Sequence, residues 1–205
     1  MALAKRLAFF LVSFITSVFI VFVLSWIVVS KASAQTEYWS WYSTLNSQIT
    51  TNRILKIASD IDGSIWISTF EYDVMHFDGS SWTNFDSSNS PLPDGRVEAI
   101  AVEASGVKWF GIGGFGQEAK GVTRFDGTNW TTFNVANSGL PHDNVLAAAI
   151  DENNVKWFGT NGGGIARYDG TNWTVFDTSN SDLPGDYIWS LAFDSEGSLW
   201  IAGMV

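Results

Sequence analysis

Beyond residue 52 the chain is a succession of short apolar runs separated by polar turns, and the runs recur in a fixed order. A first kind reads RILKIASD, RVEAIAVE, NVLAAAID and YIWSLAFD. A second is built on SIWIST, VKWFGI, VKWFGT and SLWIAG. A third ends in MHF, TRF or ARY, and a fourth reads SWTNF, NWTTF or NWTVF, with WSWYS as the earliest example. All are rich in Val, Ile, Thr, Phe, Tyr and Trp, the residues that suit a pleated, half-buried surface. DIDGS, EASGV, DENNV and DSEGS separate the first and second runs, and DGS or DGT the third and fourth. Asp-Gly and Asn-rich pairs supply the positive φ that tight hairpins need. No segment after Gln35 keeps a helical period.

Two columns of tryptophan set the repeat. Trp66, Trp109, Trp157 and Trp200 form one; Trp39, Trp82, Trp130 and Trp173 form the other and lead it by 27 residues each time. Steps within a column are 43, 48 and 43, the longer one explained by five extra residues between Ile112 and Gly121. Asn-Ser follows seven residues after each second-column Trp, at 46–47, 89–90, 137–138 and 180–181.

Four short antiparallel strands per unit, with an indole at fixed depth, predict β-propeller blades. A lone blade cannot bury its flat apolar faces, so neighbours stack on it, and the two Trp columns are the expected filling between them. Ala58, Ala101, Ala149 and Ala192 share one place in the first run, and their smallness suits a crowded axis. The expected fold is all-β, with three complete four-stranded blades, partial ones at both ends and an incomplete ring that reads as part of a larger one. In a competing arrangement WSWYS pairs with the last strand and closes a four-bladed ring. Counted from each second-column Trp, the repeats run about 39–81, 82–129, 130–172 and 173–205.

The N-terminus has a different pattern. Leu7 to Ser30 is uncharged and apolar, preceded by Lys5 and Arg6 and followed by Lys31. As a helix it would reach roughly 36 Å, enough to cross a hydrocarbon core of about 30 Å with the N-terminus cytoplasmic. Ala32-Ser33-Ala34 before Gln35 also fits the cleavage pattern of a secretory signal. Residues 1–34 are therefore a signal peptide or a membrane anchor, residues 35–205 the repeat array. On either reading the array is extracytoplasmic, anchored through residues 7–30 or secreted after cleavage near Ala34.

Charge narrows the partners. The formal net charge is −10, and from Gln35 onward eight basic residues face 21 acidic ones. That balance, with no basic cluster, disfavours nucleic acid and anionic lipid surfaces. There is no cysteine, hence no disulfide framework. No nucleophile elbow, HExxH pattern or phosphate loop appears. His76 and His142 do not recur in register. GIGGFG lacks the helix a dinucleotide fingerprint requires and reads as a blade insertion. The Asp-rich hairpins at Asp60–Gly63 could be imagined around Ca²⁺, but turn formation accounts for them and for Asp78, Asp126 and Asp169. A sugar-stacking role for the Trp columns yields to an inter-blade one because they are periodic. Neither a metal nor a cofactor is expected.

WFGTNGGGIARYDGTNWTVFDTSNSDLP and WFGIGGFGQEAKGVTRFDGTNWTTFNVANSGLP resemble the two-component regulator propeller repeat, and the resemblance covers about residues 39–203. It implies a sensory or ligand-binding module, in a family whose repeats often form seven-bladed rings outside the cell, ahead of a membrane helix and a histidine kinase. No kinase signature or second membrane helix follows here. The Gly-His and Trp-Asp pairs of Trp-Asp repeats do not recur, and the docking motif of quinone-cofactor dehydrogenases is absent.

The expected function is an exported, non-enzymatic recognition module, with an extracellular lyase or hydrolase on the same scaffold as the alternative. Its partner would be a small molecule, glycan or protein. A binding face should use non-repeating residues at repeating places: Arg53, Arg96, Asn144 and Tyr187 at the starts of the first strands, joined by Trp189 and the insertion Gly113–Lys120.

Overall fold

A computed structural model of the chain describes residues 27–33, 36–114 and 119–204. Three four-stranded antiparallel sheets follow one another along the chain. The first blade is β3 (Ile54–Ser59), β4 (Ile65–Thr69), β5 (Val74–Phe77) and β6 (Trp82–Phe85). The second is β7 (Val97–Val102), β8 (Lys108–Ile112), β9 (Gly121–Phe125) and β10 (Trp130–Phe133). The third is β11 (Val145–Ile150), β12 (Lys156–Thr160), β13 (Ile165–Tyr168) and β14 (Trp173–Phe176). Two-stranded sheets flank them: β1 (Ile27–Ser33) with β2 (Thr36–Tyr42), and β15 (Tyr187–Phe193) with β16 (Leu199–Met204). The first strands pack β3 on β7, β7 on β11 and β11 on β15, so they converge on one axis. No closed ring forms among the described residues.

The N-terminal expectations fall mostly outside the described residues, which omit residues 1–26 and the junction at Ala34 and Gln35. Among the described residues no helix is long and apolar enough to cross a membrane. The last four residues of the apolar segment, Ile27–Ser30, lie in strand β1, not a helix; three of them are β-branched and suit a strand. The WSWYS strand pairs with β1, not with β16, so the closing arrangement does not occur among these residues.

Aromatic layers weld the blades. Trp66 of the first blade meets Phe110 at 5.7 Å and Phe125 at 5.9 Å in the second. Trp109 repeats this on Phe158 and Tyr168 of the third. Trp66 is 2% exposed and Trp109 1%. Burying one indole is worth at most about 4–6 kcal/mol, from its area and an extended reference chain. Trp82, Trp130 and Trp173 of the second column are half-buried and cap the layers, with Trp130 stacked on Phe125 at 4.1 Å and Trp173 on Tyr168 at 4.5 Å. One first-column member departs from the expected filling: Trp200 is 67% exposed, because nothing described packs on the outer face of β15–β16. The alanine column also serves the indoles. Ala58, Ala101, Ala149 and Ala192 each face the first-column Trp of their own blade across the hairpin.

Each first-column indole is also anchored by a carboxylate six residues before it. Trp66 donates to Asp60 (3.0 Å), Trp109 to Glu103 (2.7 Å), Trp157 to Asp151 (3.1 Å) and Trp200 to Asp194 (2.8 Å). In two interfaces the following blade adds a lysine to that carboxylate: Lys108 to Asp60 at 2.5 Å and Lys156 to Glu103 at 3.3 Å. The acidic hairpins once considered for Ca²⁺ are thus spent on indoles, lysines and turns. Glycine permits the close approach of blades at two places. A Cβ at Gly111 would lie 2.7 Å from Val145, and one at Gly159 2.5 Å from Ile188.

Candidate functional site at the axial end of the first strands

The connection from each fourth strand to the next first strand is built by one motif. Asn46, Asn89, Asn137 and Asn180 each accept the backbone N–H three residues before them and donate to the carbonyl five before. The next residue in each case, Ser47, Ser90, Ser138 or Ser181, donates to the carbonyl four back and accepts from an apolar residue two ahead. This Asn-Ser clamp delivers the chain in one orientation to the start of every first strand. There a backbone bond ties it to the end of the second: Phe70 to Arg53, Gly113 to Arg96 and Asn161 to Asn144.

At the same point every first strand carries one extra residue. The register slips between Ile54 and Lys56, Val97 and Ala99, Val145 and Ala147, and Ile188 and Ser190. The inserted residues are Leu55, Glu98, Leu146 and Trp189, two leucines, an acid and an indole. A bulge re-aims the side chains around it, and three of these four line a cavity of about 120 Å³ on the axis, with Lys56, Ala99, Ala147 and Ser190.

The predicted residues divide. Arg53 and Arg96 meet: both guanidiniums lie over the ring of Phe70, at 3.4 and 4.3 Å from its centroid. Arg53 reaches Glu71 at 3.8 Å, with both side chains over half exposed, and Arg96 pairs with Glu98 at 3.3 Å, with both largely covered. Phe70 and Glu71 sit on a tight turn in which Tyr72 holds φ at 67°. That left-handed conformation costs a non-glycine residue about 1–3 kcal/mol and is tolerated where the surroundings enforce it; here the Thr69–Asp73 bonds close the turn. Trp189 is 44% exposed at the axial cavity. Tyr187 is also exposed and bridges to Asn161, away from the Arg pair.

Asn144 is buried and committed to its neighbours. Its Oδ1 accepts the Gly114 N–H at 2.7 Å and its Nδ2 donates to the Gly114 carbonyl. It positions the insertion instead of facing solvent; residues 115–118 of the insertion lie outside the described residues. Both histidines are engaged. His76 stacks on Trp66 at 4.4 Å and bonds Ser64, and burial, then the charge of Lys108, push its imidazole below the ordinary value. His142 Nδ1 accepts the Asn144 N–H. The hairpin aspartates act as turn acceptors: N–H donation from Asn129 and Thr128 holds Asp126 down at about 2. Lys56, Phe70, Glu71, Glu98 and Leu146 were not singled out from sequence; their only signal was non-repetition beside the predicted positions.

Against this geometry stand the comparisons with known proteins. The family model "Two component regulator propeller" matches residues 182–204, which hold the fourth bulge and Trp200. Those features recur in register in the three preceding blades. Residues 182–204 thus match the two-component regulator propeller repeat, and the earlier blades follow the same register. Solved propellers share the fold. The extracellular domain of BT3049 from B. thetaiotaomicron, described as part of a hybrid two component system, superposes with a TM-score of 0.66 at 24% identity over 82% of this chain and 23% of that one. The extracellular domain of BT4673 from the same organism, described as a one component system, gives 0.63 at 16% identity over 88% and 24%. Virginiamycin B lyase from Staphylococcus aureus, with quinupristin, gives 0.63 at 15% over 86% and 56%. This propeller chain thus spans about a quarter of each sensor domain and about half of the lyase. No curated protein matches its sequence.

Proposed function

We propose that this propeller is an extracytoplasmic, non-enzymatic recognition module, the sensing part of a signalling protein, whose ligand meets the axial end of the first strands. One observation carries the reading. The four repeats agree at core, turn and clamp positions, yet the bulge carries Leu55, Glu98, Leu146 or Trp189, and the last three of these line an axial cavity. Bulges are favoured next to functional sites because they redirect a side chain at small cost to the ladder. The exposed Trp189 and the Arg53–Phe70–Arg96 group supply the aromatic and bidentate contacts that recognition sites favour. The likeness to sensor ectodomains agrees with this reading. Neither histidine is aimed at the cavity: His76 bonds Ser64 and His142 accepts the Asn144 N–H.

The test is a thermal-shift screen of the full chain in detergent micelles against neutral sugars, amino acids and short peptides. A ligand of this site raises Tm, and Trp189→Ala or Arg96→Ala removes most of that rise. Trp189→Ala leaves the unliganded melt within about 2 °C, as befits an exposed residue. A ligand whose effect survives both substitutions places binding elsewhere. Turnover of a ligand into product overturns the non-enzymatic reading.

A further inference from the structure

The charges at the axial end do not balance locally. Of the cations the array carries, Lys108 and Lys156 are spent in inter-blade pairs, Arg124 pairs with Asp126, and Arg167 lies over Trp157. At the axial end Arg53 is matched by Glu71 and Arg96 by Glu98. Lys56 stands next to them in β3 and lines the axial cavity, and among the described residues it has neither a hydrogen bond nor an ion pair. Its neighbours in that cavity include Ile57, Glu98, Ala99, Leu146, Trp189 and Ser190, and most of the exposed lining is polar. A half-buried ammonium with no fixed partner has lost part of its hydration, and a counter-ion restores it. In a chain of formal charge −10 this local excess of one positive charge stands out.

Size and sign then select the ligand. The cavity of about 120 Å³ holds the volume of about four waters, which is room for a carboxylate with its first carbon and not for a large headgroup. A single unmatched charge suits a monoanion. Glu98, on the neighbouring strand β7, disfavours a dianion by like-charge repulsion. The Arg96 guanidinium behind Glu98 holds that carboxylate in place. The geometry points to a carboxylate-binding site on the axis, in which Lys56 neutralises a small monocarboxylate, free or carried as the acidic end of a larger ligand, while Glu98 rejects dianions. This assignment rests on the recognition reading above and names the chemistry it would recognise.

Ligand-observed NMR on the full chain tests it, with acetate as the free probe and N-acetylglycine as the probe carrying the carboxylate on a larger body. Inorganic phosphate and chloride serve as competitors at matched ionic strength. Acetate binding is expected to saturate, to weaken at least tenfold in Lys56→Met, which keeps the stem and removes the charge, and to survive within about threefold in Lys56→Arg; the tenfold figure is the ordinary size of a charge-assisted hydrogen bond. N-acetylglycine binding more tightly than acetate assigns the carboxylate to a larger ligand, and equal binding assigns a free acid. Phosphate is expected to compete no better than chloride. Unchanged acetate binding in Lys56→Met, or displacement by chloride as effective as by acetate itself, overturns the assignment. If a neutral ligand from the thermal screen depends on Trp189 while acetate is ignored, the recognition reading stands and the carboxylate site falls.

Discussion

The interface between the second and third blades and that between the third and fourth start from the same repeat and end differently. In the former, Glu103 collects the Trp109 indole N–H, Asn154, Ser105 and the Lys156 ammonium of the next blade, and the side chains of the ion pair are 7% and 8% exposed. In the latter, Asp151 holds the Trp157 indole, but the residue in the lysine's place is Leu199, and the next blade contributes aliphatic packing from Ile188, Leu191 and Leu199. The difference teaches that the carboxylate–indole bond is the repeated unit, while the lysine is an addition that two blades make. In a nearest-neighbour array each interface contributes its own stability, so the two can be separated experimentally.

The largest effect is expected from Trp109→Ala, which empties the best-filled layer and strips Glu103 of a donor; urea denaturation should show a loss of about 3–5 kcal/mol. Trp200→Ala, at the equivalent but exposed position, should cost about 0.5 kcal/mol. Equal losses would erase the distinction between the interfaces. Next, Lys156→Met leaves Glu103 buried with its neutral donors and should cost about 1.5–3 kcal/mol. The reverse change, Leu199→Lys, offers Asp151 a more exposed pair and should shift stability by less than about 1 kcal/mol. The smallest effect is a pH signature. Burial pushes the Glu103 carboxyl up, but donation from Asn154 and Trp109, with the charge of Lys156, outweighs it and leaves the group below its ordinary 4.5. A depressed carboxylate contributes stability that is full above its unfolded pKa and is lost as pH falls through the folded one. Melting curves below pH 4.5 should therefore decline less steeply in Glu103→Gln than in the parent.

The blades were legible because an indole at a fixed interval, between strands bounded by Asp-Gly turns, leaves few other ways to bury the same surface. The polar clamps were visible only as acidic turns: nothing in DIDGS or EASGV says that the acid six residues before a Trp will reach its indole, since that depends on how the hairpin folds back. At the site, Arg53 and Arg96 could be picked from their register, but Lys56 and Glu98 could not. The bulge between Val97 and Ala99 breaks the two-residue alternation, so counting along the strand misassigns which side chain reaches the axis. Asn144 was picked by the same register and is buried, its side-chain amide bonded to both backbone groups of Gly114.

The extra residue in each first strand also bears on how such a protein can change. Since Glu98, Leu146 and Trp189 stand outside the ladder pairing and line the axial cavity, exchanging any one of them rewrites the rim of the axial opening without asking the sheet beneath to refold. Each of these blades thus carries a separately editable letter, and the mouth of the pore spells a short word whose meaning can drift while the scaffold stays put.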